Sequence, residues 1–227
     1  MKKTFYAEWA YVLGIIILAL GTALMERADF GMSMVVAPAY VLHLHLVKEL
    51  PFFSFGMAEY VLQGVLIVLL AMVMRGMKRY YLLSFATAVI YGFALDGAIG
   101  AVSMIPFDGA MLRPVYYLSG MLLCSLGVAL LLHTYIAPEA YELFVKELVQ
   151  KHGWPIGRVK TVYDCVSCAV SVVLSFAFFG FGHFEGVKWG TILCALVNGY
   201  LIGWIAAGLE RRYIFRDALP MRKFFEK

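Results

Sequence analysis

Few side chains in this sequence could do chemistry, and most of those stand alone in apolar surroundings. Asp96 is the clearest case. It is the single charge in the run from Tyr80 to Ile105. An ionisable group at membrane depth costs roughly 2.5–3.5 kcal/mol on insertion scales and usually faces a protein interior or a water-filled path. Asp96 is therefore the leading candidate to bind a proton or a cationic group; the competing reading is a residue at a span end that snorkels or caps a broken helix. Glu59 and Gln63 share one helical face at a spacing of four and could line a vestibule, or could be an interfacial acid with a satisfied amide. Lys160 and Asp164, also four apart, read as a local ion pair or as part of a gate. Asn198 is a mid-span amide, suited to a ligand or to gluing helices together. Tyr91 and Tyr163 could line a cavity with their polar tips or simply pack.

No H-E-x-x-H, G-x-S-x-G or phosphate-binding glycine loop occurs, so an enzyme is not expected. Cys165 and Cys168 have C-x-x-C spacing, but on a helix this puts two thiols on one face with no second ligand pair nearby. No cofactor or metal is expected.

The elements that must hold these residues are membrane spans. The 227 residues are 63% hydrophobic and 15% charged, against about 25% charged in a soluble domain. Hydropathy gives six spans, about Trp9–Met25, Phe53–Met74, Tyr80–Met104, Val115–Ile136, Ile156–Phe181 and Val187–Leu209. The expected fold is all-α, one membrane domain over 1–227. With both termini on the cytoplasmic side, 15 of the 19 lysines and arginines fall inside, which is the orientation the positive-inside rule selects. Two connections are more than loops. Residues from Met34 to Val47 read as a short helix or re-entrant segment. Pro138 and Glu139 open, and Gly153 ends, an amphipathic helix with Tyr141, Phe144, Val145 and Leu148 on its apolar stripe. It is expected to lie at the inner interface.

The chain also resembles itself. Gly14 and Gly21 match Gly120 and Gly127; Ala23-Leu24 match Ala129-Leu130; Ser54-Phe55-Gly56 parallels Pro155-Ile156-Gly157; Tyr91-Gly92 parallels Asn198-Gly199. Units of about 8–107 and 113–213 carry three spans each. An odd number of spans makes the second unit enter the membrane from the opposite side, giving a 3+3 inverted repeat with binding expected where the halves meet.

The G-x6-G-x2-L of the first span, the D-F-G-M-S that follows, the S-F-G entry to the second and the Y-G-x3-D end of the third resemble the YitT/YczE-type integral membrane proteins of bacteria, over about residues 8–213. Where that version has a G-x-G-P-like turn, Asp29-Phe30-Gly31-Met32 stands here. The resemblance implies a bacterial inner-membrane protein with a transport role and supplies no functional residues.

The expected function is a small secondary carrier or exporter, proton-coupled through Asp96 and Glu59 of one unit with Asn198 and Asp164 of the other. The alternatives are a substrate-capturing subunit of a vitamin-type importer and an assembly or regulatory membrane protein without a ligand. The expected partners are the lipid bilayer, a small-molecule substrate and a second copy of the chain; no basic-aromatic groove for nucleic acid occurs.

Overall fold

The computed structural model describes residues 2–105, 110–154, 156–219 and 222, with side-chain detail absent for 110 and 156–158. Six helices in it are long and apolar enough to cross a membrane: α1 (Ala7–Ala28), α3 (Phe55–Met74), α4 (Arg79–Ser103), α5 (Arg113–Leu132), α7 (Ile156–Phe179) and α8 (Trp189–Arg212). The protein is thus a multi-pass membrane protein. The two short helices expected after the first and fourth spans are α2 (Ala37–Leu46) and α6 (Ala140–His152).

Glycine spacing sets the centre. On α1 and α5, glycines recur every seven residues and so stack along one side of each helix. The helices meet along that side. A Cβ on Gly21 would lie 2.7 Å from the Gly120 carbonyl oxygen, and one on Gly127 would lie 2.8 Å from that of Gly14. Early glycine meets late glycine, so the pair is antiparallel, and no side chain larger than hydrogen fits at the crossing. Such close approach lets dispersion forces hold helices together in a solvent as apolar as their side chains.

A third-span helix flanks each member of this pair, tied by a matching contact. Tyr91 of α4 hydrogen-bonds Thr22 of α1 at 2.9 Å; Ser125 of α5 donates to Asn198 of α8 at 2.7 Å. Tyr11 of α1 reaches Thr87 of α4 at 2.9 Å, and Tyr117 of α5 donates to the Gly190 carbonyl of α8. The short helices cross over: α2 packs on α7 as well as α3, and α6 on α3 as well as α7.

Some boundaries move for local reasons. The fourth span was expected to reach Ile136 but stops at Leu132, because the chain turns back toward Pro138. The fifth ends at Phe179, before Gly180 at a φ of 95°. A feature absent from an all-α reading is a parallel pair of short strands, β1 (Lys3–Tyr6) and β2 (Tyr213–Arg216), with Lys3 opposite Tyr213. Their aromatic and β-branched residues suit pairing. Glu8 adds to the tie by accepting from the backbone N–H groups of Ala218 and Leu219. Residues 3–8 and 213–219 therefore lie on one face, rich in lysine and arginine, the basic face.

Candidate functional site

Proline starts the element that builds the site. After α5 reaches the basic face, residues 133–139 climb back into the protein, and α6 then descends beside α3. The returning turn leaves backbone carbonyls that water cannot satisfy, and α4 satisfies them: Ser84 donates to Pro138 O at 2.6 Å and Thr87 to Ala137 O at 2.9 Å. At the other end Lys151 donates to Val73 O, near the basic end of α3. The start of α6 is level with Gln63, whose Oε1 accepts the Ala140 N–H at 3.0 Å. From Gln63 to the end of α3 is roughly 16 Å at about 1.5 Å per residue, about half a hydrocarbon core. The N-terminus of α6 thus sits near mid-depth. The N-terminal half of α2, Ala37 to Val41, is buried in the same way.

Two carboxyl groups meet there. Glu59 is fully buried; its Oε2 accepts from Tyr141 Oη at 2.7 Å and from Gln63 Nε2 at 3.4 Å, and its Oε1 has no hydrogen-bond partner. Glu139, at the N-cap of α6, is 7% exposed and its Oε1 also lacks a partner. Among the described residues no ion pair reaches either acid. Burial, with the nearby charges of Glu59 and Glu142 adding to it, pushes the Glu139 carboxyl well above the usual carboxylate range. An uncompensated buried charge is costly, so such groups hold a proton or acquire a cation.

Beyond Tyr141 lies a cavity of about 730 Å³ between α3 and α7, with α2 and α6 at its ends. Leu62 and Leu66, Tyr141 and Phe144, Val166 and Pro38 shape it, and nearly every lining group is apolar. At its α6–α7 edge Lys160 contacts Glu142 at 3.5 Å and Asp164 at 3.3 Å.

The structure brings together Glu59, Gln63, Tyr163 and Asp164 around α6, with Tyr91 on the far side of Glu59 hydrogen-bonded to Thr22. Asp96 lies elsewhere. Its Oδ1 accepts the Gly56 N–H at 2.8 Å and its Oδ2 the Ser54 hydroxyl at 2.5 Å, while Ser54 also accepts the Met57 N–H. Both oxygens thus bond groups at the start of α3. Asn198 bridges α8 to α5. Pro155, Ile156 and Gly157, named in the sequence analysis, lie outside the residues described with side chains.

Sequence reasoning used Glu139 only as a helix start and Tyr141 only as apolar surface. A signal existed. Ala37-Pro38-Ala39-Tyr40 opens α2, and Ala137-Pro138-Glu139-Ala140-Tyr141 opens α6. The second start repeats the first with an acid inserted.

A family model described as a family of unknown function, DUF6198, matches residues 5–207. Neither the curated proteins nor the solved structures give a match.

Proposed function

The chain belongs to the DUF6198 family of unknown function, and we propose that it is a small-molecule carrier of the secondary, proton-coupled kind. The observation that carries this is the pair of buried carboxyl groups, Glu59 and Glu139, each with an unpartnered oxygen, at the mid-depth start of a half-helix beside a cavity. Half-helices that begin near the midplane aim their positive ends at binding sites in carriers built from inverted repeats. Support for such a repeat comes from the reciprocal Gly14–Gly127 and Gly21–Gly120 contacts, from the crossed packing of α2 and α6, and from the shared A-P openings. A two-fold relation produces such reciprocity.

In this reading the units of about 8–107 and 113–213 rock against each other. Glu59 and Glu139 exchange a proton for substrate, and Asp96 and Asn198 hold helices together. The basic face with both chain ends is the cytoplasmic one, in a bacterial inner membrane, as kinship with the YitT/YczE-type proteins would have it. The two rival readings, an importer's capturing subunit and a ligand-free assembly protein, give no use to two orphaned buried acids.

The test uses proteoliposomes enclosing a pH-sensitive dye. Panels of amines, carboxylates and neutral solutes are added outside. One class is expected to drive proton flux through the wild type and not through Glu59→Gln of unchanged melting temperature. Absence of flux with every class rejects the carrier.

A further inference from the structure

We infer that the cavity between α3 and α7 binds a hydrophobic organic cation, an apolar body carrying one positive charge, and admits it sideways from the bilayer. This rests on the carrier reading and names its substrate class. Three observations carry it.

The first is the wall. Leu62, Leu66, Phe144 and Val166 offer only van der Waals contact, and about 730 Å³ is room for a body of several rings. A sugar or a zwitterion would lose its hydration there without replacement hydrogen bonds.

The second is the rim. Val65, Val162 and Val166 line the cavity yet stay 51%, 63% and 56% exposed, so its long side faces lipid. A hydrophobic solute dissolved in the bilayer reaches it without crossing water.

The third is the charge. Lys160 stands between Glu142 and Asp164, so that cluster at the cavity edge keeps one net negative charge when both acids are ionised. Behind Tyr141 lie Glu59 and Glu139, each more than nine-tenths buried with an unpartnered oxygen. Tyr141 both lines the cavity and hydrogen-bonds Glu59 at 2.7 Å, so a turn of its side chain would open the route between them. A hydrophobic anion would find Lys160 already held between two carboxylates. A neutral acyl chain would use the wall and leave the acids unpaired.

The experiment compares tetraphenylphosphonium with tetraphenylborate, which share a shape and differ in the sign of charge. Equilibrium dialysis uses the full chain in detergent, corrected for detergent alone. The phosphonium is expected to bind at least ten-fold tighter than the borate, and tighter as pH rises and the acids release protons. Glu59→Gln and, as a second variant, Asp164→Asn should each weaken it about ten-fold; Val166→Trp, which fills the cavity, should abolish it. Equal or stronger borate binding, no phosphonium binding, or binding indifferent to both acid variants overturns the inference. Phosphonium binding without proton flux in liposomes removes the carrier reading alone. Flux with other solutes but no phosphonium binding removes the substrate class alone.

Discussion

In the first half of the molecule α3 and α4 meet backbone against backbone: a Cβ on Gly56 would collide with the Gly92 carbonyl, and one on Gly92 would lie 2.7 Å from Gly56 O. In the second half, among the described residues, α7 and α8 make no comparable contact. Gly199, the counterpart of Gly92, has nothing within 4 Å of where a Cβ would stand, and neither has Gly203. Continuing the match that pairs Gly92 with Gly199 puts Gly203 where the first half has Asp96. The first half therefore owns a lock, the Asp96 carboxylate bridging the start of α3 to α4; among the described residues the second half shows no such bridge. Freed from α8, α7 leans on α2 and α6, and the cavity lies between it and α3. The lesson is that the closed joint is held by a single carboxylate on α4 that accepts a hydroxyl and a backbone N–H from the start of α3.

The largest break in this comparison should come from overfilling the closed joint. Gly56→Leu forces backbones apart, and overpacking costs about 1–3 kcal/mol or more. Detergent melting curves should show this variant strongly destabilised and Gly199→Leu within about 0.5 kcal/mol of wild type. Equal losses in the two would mean that the joints do not differ.

Next is the lock itself. Asp96→Ala removes a helix cap and its link to α4, a loss of about 1–2 kcal/mol. Melting temperature should fall and proton flux should survive in the folded fraction. A variant of unchanged stability that loses flux would restore Asp96 to the binding site.

A third contrast sets α6 against α2, since only α6 has an acid at its start. Glu139 holds its proton more tightly folded than unfolded. Its contribution is complete below the ordinary carboxylate value of 4.5 and is lost as pH rises toward the elevated folded value. Stability should fall with rising pH over that interval, by up to about 1.4 kcal/mol per unit. Glu139→Gln should flatten the slope; an unaltered slope assigns it to another group.

The smallest effect belongs to the matched ties. Ser125→Ala deletes the α5–α8 hydrogen bond, for which about 0.6 kcal/mol is typical between membrane helices. Because α8 has few other contacts, its amide exchange near Asn198 should rise more than that of α4 near Tyr91 after Thr22→Val. Equal rises would show α8 to be as firmly held as α4.

Much of the frame was legible because the bilayer makes it so. A helix must hydrogen-bond its own backbone in lipid, and it must be long and apolar enough to cross, so composition alone marks six spans. The seven-residue glycine spacing on α1 and α5 was legible, and that the two glycine sides meet was seen only in the structure. The depth of α6 was not legible: its apolar stripe is the same whether it lies on a surface or runs beside α3. Ser84 and Thr87, which hold its turn inside, are far from it in sequence.

The candidate site divides along the same line. Glu59 and Gln63 are neighbours on one helix turn, and local geometry sufficed to pair them. Asp96 and Glu139 exchanged roles because a carboxylate's role depends on which donors reach it. Asp96 meets a hydroxyl and a backbone N–H from α3; Glu139 has an oxygen that meets none. By itself the sequence determined the spans, the glycine spacing and the inventory of acids, since those follow from hydropathy and residue order. Only the tertiary structure decided which acid is spent on a cap and which is left buried with an unpartnered oxygen, because that depends on groups brought from distant parts of the chain.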